Sequence, residues 1–185
     1  MKWFLLFLSS VILVCVGCAG LSKELEFTDT ASHALVFGYL DTDKSPCNLN
    51  YIEYQQTYPA IEKPFYYMRI DQKAFYREDF TVPGRFKLAE YGGSPHAIFT
   101  NVSQYNMKFP EQGYDFTITQ PGRLYFLGSY RVVEKGDFFA SDSYLERVDR
   151  PNQLEVLQMI QPNAANTPWA PIIANAIRIL SSRPQ

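Results

Sequence analysis

Cysteine is scarce where a fold would use it. The chain has three, Cys15, Cys18 and Cys47. The first two lie inside an apolar N-terminal run, so the remainder has no internal disulfide framework. Histidine is scarcer still. His33 and His96 are far apart, and no His-x-x-x-His or Cys-x-x-Cys pair offers the spacing of a zinc site. Basic residues do not dominate either: Lys and Arg number 17 against 19 Asp and Glu. Without a basic face to follow phosphates, nucleic acid is excluded as the natural partner. The combination of low hydrophobicity and high net charge that marks disorder is absent as well.

The motifs of common catalytic sites are also missing. Gly92-Gly93-Ser94-Pro95-His96 lacks the second glycine of a Gly-x-Ser-x-Gly elbow, and Ser94 beside His96 reads as a polar turn. Asp41-x-Asp43-x-Ser45 opens like a calcium loop, but Pro46 stands where the sharp turn needs glycine and Ile52 where the bidentate glutamate belongs. It reads as an Asp-rich turn. Asn101-Val102-Ser103 is formally a glycosylation sequon. No catalytic residue, metal site or cofactor site is assigned, and the expectation is a binding or structural module rather than an enzyme.

What is present begins with an address. Met1-Lys2 is a short positive start, and Trp3–Val16 is an unbroken run of apolar residues and small serines. It ends in Cys15-Val16-Gly17-Cys18-Ala19-Gly20, the small-residue end of a secretory leader. Lys2 is the only charge in residues 1–17, so the rest of the chain is slightly more acidic than the whole. Val16-Gly17-Cys18 resembles the last three positions of the lipobox of bacterial lipoproteins, with Cys15 at the first position, where leucine is usual. That resemblance implies cleavage before Cys18, diacylation of its sulfur and acylation of its new amino group. Since one acyl chain is marginal and two hold stably, such an anchor is lasting. Ala19, rather than Asp, after the cysteine implies by the same resemblance an outer-membrane destination. Cleavage after Ala19 and a retained span at the lower length limit are the alternatives. The expected layout is a signal peptide over 1–17, a lipidated Cys18 with a polar tether to residue 32, a β-sandwich over 33–148 and helices packed on it over 149–185.

The middle of the chain is rich in strands. Tyr and Phe number 13 and 14, which favours extended structure. His33–Leu40 is apolar on both faces. Asn48–Thr57 mixes Leu49, Tyr51 and Ile52 with polar residues and reads as an edge strand. Phe65–Ile70 and Ala74–Val82 flank a turn at Asp71-Gln72-Lys73, Gly92–Pro95 reads as a loop, and Ala97–Phe109 and Phe138–Val148 are further strand regions. Phe109–Val133 is the organising stretch. Tyr114, Phe116 and Ile118 alternate with polar residues, Pro121-Gly122 suits a tight turn, and Leu124–Val133 is apolar on both faces. Leu124, Phe126, Tyr130 and Val132 fall on one of those faces, Tyr125 and Leu127 on the other. Val82-Pro83-Gly84-Arg85 repeats the turn, so two hairpins are expected. The tyrosines of Tyr51–Tyr76 read as core, with a surface cluster for sugars or a protein as the alternative.

The tail changes period. Leu154, Leu157 and Ile160 have helical spacing after Pro151. Asn163–Asn166 is a linker and Thr167 a cap. Trp169, Ile172, Ile173, Ala176, Ile177 and Leu180 form one stripe, expected to pack on the sandwich rather than on a membrane, because Arg178 is its only charge.

Gly113, Tyr114, Phe116, Pro121, Gly122, Tyr125 and Gly128 resemble the closing strands of a loose family of bacterial lipoproteins with a prealbumin- or immunoglobulin-like sandwich. The resemblance spans roughly residues 33–133. It implies a two-sheet antiparallel sandwich with a helical appendage and no transferable catalytic residue. The expected role is that of a cell-envelope lipoprotein, a structural or protein-binding module touching the membrane through its anchor and another envelope protein through its surface. The alternative is a glycan- or small-ligand-binding sandwich using surface tyrosines.

Overall fold

A computed structural model describes residues 29–43, 47–95, 115–137 and 140–183. The chain is mainly β, with two short helices at its C-terminal end. The strands are β1 (His33–Asp41), β2 (Cys47–Tyr58), β3 (Phe65–Asp71), β4 (Ala74–Thr81), β5 (Gly84–Pro95), β6 (Phe116–Ile118), β7 (Leu124–Asp137) and β8 (Ala140–Val148). Helix α1 (Gln153–Ile160) runs through a 3₁₀ turn (Gln161–Ala164) towards α2 (Ala170–Ser181).

The hydrogen-bonded order is β6-β5-β2-β3-β4-β1-β7-β8, one ladder folded over on itself. The crease is β3. Phe65–Arg69 pairs with β2, whereas Ile70 and Asp71 pair with β4. Two sheets result: a first of β4, β1, β7 and β8, and a second of β6, β5, β2 and β3. All pairings are antiparallel except β1 with β7. Between the sheets lies a core that includes Val36, Leu40, Ile52, Met68, Phe75, Phe80, Phe86 and Ile118.

A second core explains why β1 is apolar on both faces. Leu35 and Phe37 point away from the sandwich and pack with Val156, Leu157, Ile160, Trp169 and Ile173 of the helical tail. The first sheet is thus the middle of three layers, the position that calls for strands without a polar face. Trp169 is wholly buried here and Ile173 with it, while Ile172, Ala176, Ile177 and Leu180 pack at the margin. Asn163, in the 3₁₀ turn, donates from Nδ2 to the Tyr76 hydroxyl of β4 at 2.8 Å, so the expected linker is also a tie. α1 starts from a capping box: Asn152 Oδ1 accepts from Glu155 N at 3.1 Å and Glu155 Oε2 accepts from Asn152 N at 2.6 Å. Pro151 therefore precedes the cap instead of opening the helix. Thr167 Oγ1 accepts from Trp169 N at 3.2 Å and closes one turn, and α2 begins at Ala170.

Several expectations are corrected. Neither Pro-Gly turn joins paired strands. β4 and β5 lie in different sheets, as do β6 and β7, so both turns are arches that carry the chain across the sandwich. They also differ in backbone: Gly122 takes φ +64°, whereas Val82–Pro83 is cis and Gly84 does not take positive φ. Tyr125 pins the second arch. Its hydroxyl accepts from Thr119 N and Gln120 N at 3.1 and 3.0 Å, the back-bonding arrangement of a tyrosine corner. The tight two-residue turn is instead Gln72-Lys73, with φ +47° and +70°, between β3 and β4.

β2 is not an edge strand: it pairs with β3 on one side and β5 on the other. Its mixed composition comes from one buried and one open face, which a central antiparallel strand also has. Gly92–Pro95 is strand rather than loop, running opposite Cys47–Tyr51. In β7 the faces are not those of simple alternation. Leu124 and Phe126 face the helices, but Tyr130 and Val132 face the sandwich core together with Tyr125 and Leu127. The register with β1 slips between Phe37 and Tyr39, and Gly128 at φ +112° supplies the extra residue of a bulge. One inserted residue inverts the parity of everything after it. The Ala97–Phe109 strand region and the Tyr114 end of the organising stretch lie outside the described residues.

Candidate functional site

Among the described residues, no helix covers the outer face of the second sheet. Bulges in the β2–β5 register leave Leu49, Ile52 and Tyr54 in the core and turn Tyr51 and Glu53 outward. In β3, Tyr66 and Met68 point inward, so Phe65 and Tyr67 point out, 53% and 48% exposed. Tyr58, at the end of β2, is 59% exposed, and Ile61 follows in the connection to β3. Cross-strand pairing sets these side chains in rows, with Tyr67 opposite Glu53, Phe65 opposite Gln55 and Glu53 opposite Glu90.

Within this face the Tyr51 and Tyr67 rings stack, centroids 4.9 Å apart at 21°. The Tyr51 hydroxyl donates to Glu90 Oε1 at 2.7 Å. Burial, reinforced by that bond, raises the Tyr51 pKa and keeps the phenol protonated as a donor. Partial burial, then the facing Glu90, raises the Glu53 carboxyl above the usual carboxylate range. At the far margin the Arg85 guanidinium lies 5.9 Å from the Tyr58 ring centroid. The surface offers flat aromatic area, carboxylate acceptors and one cation–aromatic pair. That chemistry suits contact with a protein or a sugar ring.

The tyrosines expected in the core divide between the two faces. Tyr54 and Tyr66 are core, Tyr51 is buried as well, in its stack with Tyr67, Tyr76 is half-buried under the helical tail, and Tyr58 and Tyr67 are open. Tyr66 also carries a buried polar link: its hydroxyl donates to Gln56 Oε1 at 2.8 Å and lies 2.9 Å from Thr81 Oγ1, while Gln56 Nε2 donates to Pro59 O at 2.9 Å.

Asp41 and Asp43 are engaged by cations of the chain itself. Asp41 Oδ1 lies 3.1 Å from Lys73 Nζ and Oδ2 lies 3.5 Å from Arg131 Nε, and Asp43 also pairs with Lys73. The bond to Asp43, with that to Asp41, pushes the Lys73 pKa up to about 12. Among the described residues no three His, Cys, Asp or Glu side chains are grouped to hold a metal ion. His33 sits where the chain enters β1, its Nδ1 3.0 Å from Ser32 Oγ and 3.1 Å from Asp29 O. The Asp29 carboxylate binds Ser32 Oγ at 2.9 Å and Ala31 N at 2.8 Å, not the imidazole, so this trio is a turn rather than a nucleophile–base–acid relay. Ser94 stands in β5 opposite Asn48. Cys47 opens β2. Cys18 with its leader, His96 and Asn101–Ser103 lie outside the described residues. Comparison of the chain with models of protein families, with curated proteins and with solved structures finds no match.

Proposed function

We propose that the chain is a lipid-anchored lipoprotein of the bacterial cell envelope, in the outer membrane, acting as a non-enzymatic binding module. Its contact surface is the bare outer face of the second sheet and its partner another envelope protein. The observation that carries the reading is the contrast in exposure. The helical tail seals one side of the sandwich, whereas Tyr58, Phe65 and Tyr67 stand open on the other. The Val16-Gly17-Cys18 end of an apolar leader supports the anchor, attached at Cys18. The kinship with prealbumin- or immunoglobulin-like sandwiches belongs to the same reading.

Two measurements test it. Cys18→Ser abolishes lipid labelling and detergent partitioning, while Cys15→Ser leaves both intact; the reverse pattern refutes the anchor. A photo-crosslinker at Gln55, beside Phe65, gives discrete protein adducts in intact cells that vanish with Phe65→Ser and Tyr67→Ser. A second reading, glycan binding, is favoured by the Tyr51–Tyr67 stack beside two carboxylates. Saturable quenching of tyrosine fluorescence by envelope glycan fragments, with no protein adducts, would select it.

A further inference from the structure

The described chain starts at Asp29, and its entry point is fixed. Gly122 N donates to His33 O at 2.8 Å and Leu35 N donates to Arg123 O at 3.1 Å, so the entry turn lies against the β6–β7 arch. A Cβ on Gly122 would meet the Thr30 carbonyl oxygen at 3.1 Å. Beside this arch, between it and the C-terminal half of α2, is a groove of about 270 Å³. Leu124, Ile172, Ala176 and Leu180 give it apolar walls, and Arg123 and Arg183 are its charged residues. No acidic residue lines it. The carboxylate of the neighbouring Asp29 is taken up by Ala31 N and Ser32 Oγ.

We propose that this groove is the membrane-facing end of the domain, with Arg123 and Arg183 taking the headgroups of anionic phospholipid and the α2 walls meeting the acyl boundary. The inference rests on the lipid-anchor reading and deepens it. Two features select lipid as the occupant. Residues 1–28, with Cys18, join the domain at this same end, so an anchored chain brings the groove to the bilayer. The groove is also cationic over an apolar wall, the complement of an anionic amphiphile. The helix alone carries one cation, Arg178, too few to hold an anionic surface. The fold adds Arg123 from the arch and Arg183 from beyond the helix. Trp169, which a membrane-lying helix would use as its anchor, is committed to the protein core.

The test uses the full lipidated protein in a Cys47→Ser background, reconstituted into vesicles with a headgroup-attached quencher. A fluorophore is placed at Ser181→Cys beside the groove, or at Gln72→Cys at the opposite end of the first sheet. In phosphatidylglycerol-containing vesicles the Ser181→Cys probe is quenched at least about twofold more than the Gln72→Cys probe, and the excess falls with salt. Arg123→Gln with Arg183→Gln, both exposed positions, removes the excess while the circular dichroism spectrum is unchanged. Equal quenching at the two positions, or a Ser181→Cys signal indifferent to lipid charge and to the double substitution, overturns the proposal. Intact mass reports the acyl chains in the same sample, so a missing anchor is recognised as missing acyl mass and is not mistaken for an idle groove.

Discussion

The two sheets have similar inner faces and opposite outer ones. Both contribute apolar side chains to one shared core. Outside, the first sheet presents Leu35, Phe37, Leu124 and Phe126 to the helical tail, whereas the second presents Glu53, Phe65 and Tyr67, with Tyr51 buried in its stack with Tyr67, and no helix among the described residues covers them. A layer's place in a fold is thus written on its outward residues: a strand apolar on both faces needs two neighbours, an alternating one needs a single neighbour. It also follows that stability should reside mainly on the covered side and recognition on the bare side. Substitutions can test that division directly.

The largest effect is expected at the centre of the covered side. Trp169→Ala should destabilise the protein by about 3–5 kcal/mol, the range for truncating a buried aromatic, because it empties the space over Leu35 and Phe37. That is a large fraction of the roughly 5–15 kcal/mol that holds a domain together. Denaturant midpoints read it. A midpoint shift close to zero would mean that the tail is not part of the cooperative unit and that the covered face is no second core.

Next is the polar link inside the shared core. Tyr66→Phe keeps the ring stacked on Phe80, centroids 4.6 Å apart, and removes only the hydroxyl. Gln56, nearly fully buried, then loses an acceptor bond, and the expected cost is about 1–3 kcal/mol. Adding Gln56→Leu should deepen the loss rather than recover it, because it also removes the bond from Gln56 Nε2 to Pro59 O. The same denaturation series checks both steps.

On the bare face, Phe65→Ser should shift stability by no more than about 0.5 kcal/mol, as exposed positions do, and Tyr67→Ser, which gives up the stack on Tyr51, by about 1 kcal/mol, while each abolishes the crosslinks expected of a contact surface. Equal losses at Trp169 and Phe65 would erase the contrast between the sheets.

How much of this was legible in the sequence depends on the range of the signal. Period-2 apolar patterning located most strands within a residue or two, because burial imposes it locally. The doubled apolarity of His33–Leu40, and of Leu124–Leu127 ahead of the bulge, fits strands covered on both sides, whereas the faces expected beyond Gly128 do not hold. The stripe through Trp169 and Ile173 announced a helix needing cover, but not which sheet would supply it. Pairing was not legible. Pro121-Gly122 specifies a turn, and nothing local says whether the chain turns back beside itself or crosses to the other sheet. The bulge at Gly128 was hidden because one residue in left-handed conformation inverts the faces of Tyr130 and Val132 without altering composition. The candidate face was half legible. The tyrosines were evident, but which of them point outward follows from bulges opposite Leu49 and Glu53 that only the paired register reveals.

The smallest expected effect is electrostatic and concerns what a bare face tolerates. Glu53 stands opposite Glu90, and like charges directly across two strands oppose pairing by a few tenths of a kcal/mol. Partial burial and Glu90 together raise the Glu53 pKa above its ordinary 4.5. The folded protein therefore binds this proton more tightly than the unfolded chain does. Below the unfolded value the protonated group carries no penalty. As pH rises through the folded value the charged form works increasingly against folding. Glu53→Gln should consequently stabilise the protein by a few tenths of a kcal/mol near pH 7, and the gain should fade to nothing as pH drops below about 4. Urea midpoints of the two proteins across that interval measure it. A Glu53→Gln variant less stable than the parent near pH 7 would mean that a cation, not Glu90, dominates the field at Glu53. The open sheet would then be an internally satisfied surface, and the case for a partner there would weaken. The predicted sign instead leaves two facing carboxylates, one of them bonded to Tyr51, beside stacked tyrosines, an arrangement that the dry interface under Trp169 would not permit and that a donor-bearing partner would relieve further.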